Sequence, residues 1–96
     1  MKTQDMKTER KELNTFSTSG NVRYNIDRAL HMMFKKWGKH GLASKHEILG
    51  MLSEEFDEFK EAVHGNDPEA IKSELIDIAV VVQWALMSIE DDTLDW

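Results

Sequence analysis

The chain has 96 residues, 41% hydrophobic and 31% charged, with one proline, five glycines and no cysteine. That is the length of one small domain, and the composition excludes collagen-like, proline-rich and wholly disordered chains, disulfides and thiolate chemistry. Eighteen acidic against twelve basic residues give a net charge of −6, which argues against a general nucleic-acid binder, whose affinity comes mostly from phosphate neutralisation.

Residues 1–20 are polar, with Lys2, Lys7, Arg10 and Lys11 interleaved with Asp5, Glu9 and Glu12. Only Met6, Leu13 and Phe16 offer apolar anchors. Asp5 to Leu13 has helical propensity without a wide apolar stripe, so 1–20 reads as an arm or docking helix ahead of a helical domain over 21–96. Ser17 to Asn21 reads as a helix breaker, with Ser19 or Asn21 capping the next helix. The first firm helix is expected from about Val22 to Trp37, where Val22, Ile26, Ala29, Leu30, Met33, Phe34 and Trp37 recur at three- and four-residue steps and make one apolar face. Gly38 and Gly41 then stop it.

Ser44-Lys45-His46-Glu47 reads as a capping box that opens a second helix. Its expected core stripe is Ile48, Leu52, Phe56, Phe59 and Val63, with Leu49 beside it, and Gly65 and Asn66 end it. Asp67-Pro68-Glu69 starts a third helix, with Asp at the N-cap and Pro at the first helical position. From Leu75 to Met87 its only polar residues are Asp77 and Gln83. A helix apolar on all sides must be buried on all sides. Two partner helices in so short a chain cannot enclose it, so a homo-oligomer is expected, with a two-fold dimer as the economical form. The alternative is a strand, because Ile76 to Val82 is rich in β-branched residues; the proline start and the length favour helix. The uncharged run between Asp77 and Glu90 is too short for the ~20 residues of a membrane span. No basic start followed by an apolar run marks a secretion signal. The expectation is a cytoplasmic chain with neither a membrane nor a nucleic-acid partner. The acidic end, Glu90 to Trp96, is expected to fray. The fold class expected is all-α: an antiparallel bundle of three main helices, completed by dimerisation.

The acids carry the chemistry. On the second helix Asp57 lies opposite the apolar stripe with Glu54 and Glu61 beside it, whereas Glu55 and Glu58 share an edge of the apolar face at i and i+3. Glu74 and Asp77 repeat that spacing on the third helix. Glu58 and Glu74 are each eight residues from Asn66, and Glu55 and Asp77 are each eleven. In an antiparallel hairpin, equal distance from the turn means equal height, about 12 and 16 Å from it. Four carboxylates at matched height would raise one another's pKa unless a cation joined them. Oxygen-only ligands suit Mg²⁺ or Mn²⁺ over Zn²⁺. The plain alternative is a set of solvated surface acids, since i, i+3 glutamates are common.

Glu54-Glu55-Phe56-Asp57-Glu58, followed after fifteen residues by Glu74-Leu75-Ile76-Asp77, resembles the EExxE…ExxD signature of the MazG-like all-α nucleoside triphosphate pyrophosphohydrolases. With the flanking His46-Glu47 and the run from Ser73 to Ala79, the pattern resembles small phage-type members, and the likeness spans roughly Gly41 to Ser88. The resemblance implies a helical bundle that forms dimers or dimers of dimers. It implies Mg²⁺ on Glu55, Glu58, Glu74 and Asp77, and hydrolysis of an NTP or dNTP to a monophosphate and pyrophosphate. Glu55 or Glu58 is the candidate to take the proton from the attacking water. Glu54 matches the doubled glutamate but faces away on the wheel. Many relatives carry Asn one or two turns after the motif Asp, where this chain has Val81 and Trp84.

Other residues are weighed beside the acids. Lys35, Lys36, Lys39 and Lys45, with His40 and His46, form the basic cluster in the ordered part of the chain. Lys39 and Lys45 are candidates to receive a triphosphate, against the reading of a solvated loop. Trp37, Phe34 and Trp84 are candidates to stack on a base, against the reading of core aromatics. Glu61 and His64 match the Glu-x-x-His spacing of di-iron bundles, although a histidine at a helix C-terminus is explained by the helix dipole. A helical dimerisation or nucleotide-binding module without catalysis is the remaining alternative.

Overall fold

The computed structural model describes residues 9–96, and among them the chain is all-helical. Three helices follow in order: α1 (Thr15–Trp37), α2 (Lys45–His64) and α3 (Pro68–Glu90). Ile76 to Val82 is helical, not a strand. The α1 and α2 helices both pack on α3, and their backbones do not approach each other, so a cleft runs between them with α3 as its floor. The described chain has a radius of gyration of 15.7 Å, against roughly 12 Å for a compact chain of this size.

The α1 helix begins at Thr15, not Val22. Ser17 to Asn21 does not break it: the Thr18 N–H already donates to the Asn14 carbonyl at 3.1 Å. Once a helix is nucleated, each added residue gains a hydrogen bond, so it can run through weak formers, Gly20 included, at roughly 1 kcal/mol or less each. Residues 9–14 are not helical, so that part of the expected Asp5–Leu13 helix is absent. The rest of it, with Met6, lies outside the described residues.

The hairpin signals act as expected. Ser44 Oγ accepts from the Glu47 N–H at 3.1 Å, and Glu47 Oε1 accepts from the Ala43 N–H at 2.7 Å. Asp67 Oδ1 accepts from the Glu69 and Ala70 N–H groups. Between the helices the turn closes on Asn66, whose φ is +52°. The Asn66 N–H donates to the Val63 carbonyl and the Asp67 N–H to the Ala62 carbonyl. This is a Schellman closure with Asn, which tolerates the left-handed conformation better than most residues, at its key position.

The core is small. Leu30, Leu42, Val80, Val81, Ala85 and Leu94 are buried, with Ser88 as the buried polar residue. The expected core stripe of α2 is only partly covered: Phe56 is 52% and Leu49 64% exposed. On α3, Leu75, Val82, Leu86 and Ile89 are all exposed. At 100° per residue they fall in a sector of about 60° on the side away from Asp77. One chain therefore leaves a continuous apolar stripe open along the back of its central helix.

The C-terminal end does not fray. Asp92 turns left-handed at φ +55°, the Thr93 N–H donates to the Ser88 carbonyl, and Leu94 is buried against Leu42 and Ala85. The apolar Leu94 draws the acidic tail back onto the domain.

Candidate functional site

The short closure at Asn66 fixes the phase of α3 against α2, and the four acids meet as their equal heights require. Glu55, Glu58, Glu74 and Asp77 each offer a carboxylate oxygen, and these oxygens lie within 4.8 Å of one another. Glu54, Asp57 and Glu61 are exposed, and Asp57 instead pairs with Lys60 at 3.3 Å.

The electrostatics of the cluster are unfavourable as it stands. Burial, followed by the charges of Glu58, Asp77, Glu74 and Glu54, raises the Glu55 carboxyl from an ordinary 4.5 to about 7. Glu74 is also raised, first by burial and then by its hydrogen bond to Glu58 and the surrounding acids. Asp77 is raised by burial and by Glu58. One oxygen on each of two acids, Oε2 of Glu55 and Oε2 of Glu74, is buried with no hydrogen-bond partner. A buried polar atom left unpaired costs about 1–3 kcal/mol, more when charged. Two such oxygens in a nest of four acids fit a hard cation, which would satisfy them and reverse the repulsion. The donors are all oxygen, and no histidine belongs to the group. Glu61 and His64 stand outside it, so the Glu-x-x-His pair lends no support to di-iron chemistry.

The cleft beside the acids is lined by aromatic and sulfur side chains. A cavity of about 400 Å³ is bounded by Met33 and Trp37 from α1, Met51 from α2, Trp84 from α3, and Gly38, His40, Gly41 and Leu42 of the loop between α1 and α2. Met51 lies one turn from Glu55. Trp84 lies two turns from Asp77 on the same face of α3, about 10 Å along the axis. The cavity therefore opens about two helical turns along the cleft from the acids, none of which lines it. Trp84 is fixed there: its indole N–H donates to the His40 carbonyl at 2.8 Å, and Phe34 meets it edge-on at 6.3 Å. Trp37 is 71% exposed, with the Lys36 ammonium 5.0 Å from its ring centre.

Lys39 lines a second cavity of about 530 Å³, on the other side of the His40–Trp84 contact, with His31, Phe34, Lys35 and Met87. Lys45, the first residue of α2, is exposed and lines neither cavity. The structure thus brings the four acids together and places Trp37 and Trp84 on one cavity, while neither lysine lines that cavity. Met33, Met51 and the His40 carbonyl are site features that sequence reasoning misses. The two methionines look like ordinary core positions, and a backbone carbonyl has no sequence signal.

A family model, the MazG nucleotide pyrophosphohydrolase domain, matches residues 43–95. That segment holds both motif helices, the hairpin turn and the docked C-terminal end. No curated protein and no solved structure matches the chain. The family match covers more than half of the chain and includes all four clustered acids. The chain belongs to the MazG nucleotide pyrophosphohydrolase family and is a hydrolase acting on acid anhydrides.

Proposed function

We propose that this chain hydrolyses the α–β anhydride bond of a nucleoside triphosphate, NTP or dNTP, giving a monophosphate and pyrophosphate. In this reading Glu55, Glu58, Glu74 and Asp77 hold Mg²⁺, with Mn²⁺ as a substitute. The observation that carries it is the pair of buried, unpartnered oxygens on Glu55 and Glu74 inside a four-acid cluster. When bound, Mg²⁺ supplies charge neutralisation, Lewis-acid activation of a water, and coordination of phosphate oxygens. Glu55 or Glu58 accepts the proton of the attacking water at a carboxylate oxygen. Trp37 and Trp84 flank the base in the adjoining cavity. Lys39, with Lys45 at the helix start, draws the triphosphate towards an otherwise acidic surface. Val81 and Trp84 stand where many relatives have Asn, so the sugar and base are selected here by shape and stacking.

The exposed stripe of Leu75, Val82, Leu86 and Ile89 supports a second copy of the chain as partner, in a homodimer or a dimer of dimers. Among the described residues no helix is long and apolar enough to cross a membrane. With cysteine absent, the cytoplasm is the compartment proposed.

The test is pyrophosphate release across the NTPs and dNTPs, with and without Mg²⁺, for the wild type, Asp77→Asn and Asp57→Asn. Asp77→Asn should lose turnover by something like 10²-fold, the scale for misplaced catalytic groups, and keep its circular dichroism. Asp57→Asn should retain activity. Full activity in Asp77→Asn, or equal loss in both, would remove α3 from the site. No pyrophosphate from any nucleotide would leave a helical module without catalysis.

A further inference from the structure

The segment after α3 binds the loop that walls the nucleotide cavity. Thr93 Oγ1 donates to the Leu42 carbonyl at 2.8 Å, and the Asp95 N–H donates to the Ala43 carbonyl at 2.7 Å. From the other side, the Leu42 N–H donates to Ser88 Oγ at 2.9 Å. Leu42 and Leu94 are buried together beneath these bonds. Gly41 lies so close to Thr93 that a Cβ there would overlap the Thr93 side chain. The loop is therefore seated on Thr93 at Gly41 and Leu42. The next residue back, His40, offers the carbonyl that receives the Trp84 indole N–H. An indole has a single donor, so this one bond selects the orientation of the ring.

We infer that Thr93 is a positioning residue for the nucleotide cavity: through the loop at Gly41–Leu42 it holds the His40 carbonyl in place, and through that carbonyl the plane of the Trp84 indole. This rests on the reading of Trp84 as a wall of the base site. Thr93 lines the second cavity, with Lys39, and not the one bounded by Trp37 and Met51, and it has no part in the carboxylate cluster. Its effect falls on nucleotide affinity and not on the chemical step.

Thr93→Val keeps the shape and removes the hydroxyl, whereas Thr93→Ser keeps the hydroxyl. Thr93→Val should raise KM for the preferred nucleotide by roughly two- to tenfold, the range of one lost neutral hydrogen bond, with kcat little changed. Thr93→Ser should behave as wild type. In a Trp84→Phe background, where the indole bond is already gone, Thr93→Val should add nothing further. A readout free of turnover comes from a chain carrying Trp37→Phe and Trp96→Phe, which leaves Trp84 as its one tryptophan. There Thr93→Val should increase acrylamide quenching of the Trp84 fluorescence, and Thr93→Ser should not. Unchanged quenching would overturn the inference, as would a KM increase that persists in the Trp84→Phe background or a loss confined to kcat. If no nucleotide is hydrolysed, the proposed activity fails while the quenching experiment still decides whether Thr93 positions Trp84.

Discussion

Glu55→Gln should stabilise the metal-free protein, and by more as the pH rises. The Glu55 carboxyl sits at about 7 in the folded chain against 4.5 ordinarily. Between those values the native state holds a proton that the unfolded chain has released. The stabilisation from this group is thus fully present below 4.5 and is lost as pH climbs through 7. At 1.36 kcal/mol per pH unit the full loss is about 3 kcal/mol, an upper bound because solvent at the mouth of the cluster screens part of it. Glutamine stays neutral throughout and escapes the loss. Between pH 6 and pH 8, both clear of the pI near 5.1, the lead of the variant over wild type should grow by about 1 kcal/mol, or roughly 4–8 °C in Tm for a domain of this size. The assay is thermal unfolding by circular dichroism in EDTA, with both proteins at both pH values, so that titrating groups outside the acid cluster cancel in the difference. A lead that does not change with pH, or a variant that melts below wild type at pH 8, would refute the reasoning.

Millimolar Mg²⁺ or Mn²⁺ should raise the Tm of the wild type at pH 8, because the ion binds only the assembled acids; saturation at 100 Kd corresponds to about 2.7 kcal/mol, and Asp77→Asn should lose most of the shift. Leu86→Glu places a charge in the middle of the exposed α3 stripe and should dissociate or unfold an oligomer, on the scale of about 3–5 kcal/mol for a buried unpaired charge; light scattering at micromolar concentration reads the outcome, and unchanged mass would exclude this stripe as the interface. Ser44→Ala removes the cap bonded to the Glu47 N–H and should cost about 1 kcal/mol, seen as a lower midpoint in urea with an unchanged slope.

The parts legible in the sequence are those set by local chemistry. Ser44 with Glu47, Asp67 with Pro68, and Asn66 each act within four residues, and together they set the hairpin. The hairpin then delivers Glu55, Glu58, Glu74 and Asp77 to one place by helix geometry alone. The start of α1 is not legible in the same way, because the local weakness at Ser17 to Asn21 does not decide it: a helix already under way carries such residues along. The tail escapes for a related reason: the acidic residues around Leu94 hide one apolar side chain whose partners, Leu42 and Ala85, are distant in sequence. Phe56 and Leu49 fit the periodic stripe of α2, but periodicity cannot say whether the chain itself supplies anything to cover them. Lys39 and Lys45 read as a single basic patch in the sequence, yet only Lys39 lines the 530 Å³ cavity beside Trp84.

The closure at Asn66 also limits how this chain can change. One residue inserted into α3 between Pro68 and Glu74 would advance the rest of the helix by about 1.5 Å and turn it by 100°. Glu74 and Asp77 would swing out of the nest while Glu55 and Glu58 stayed behind, and the apolar stripe on the back of α3 would rotate with them. A heptad insertion would restore the phase but not the height, leaving the pairs about 10 Å apart along the axis. Length variation is therefore barred in the first two turns of α3, between Pro68 and Glu74. In this hairpin the spacing from the turn is as much a part of the chemistry as the acids it aligns.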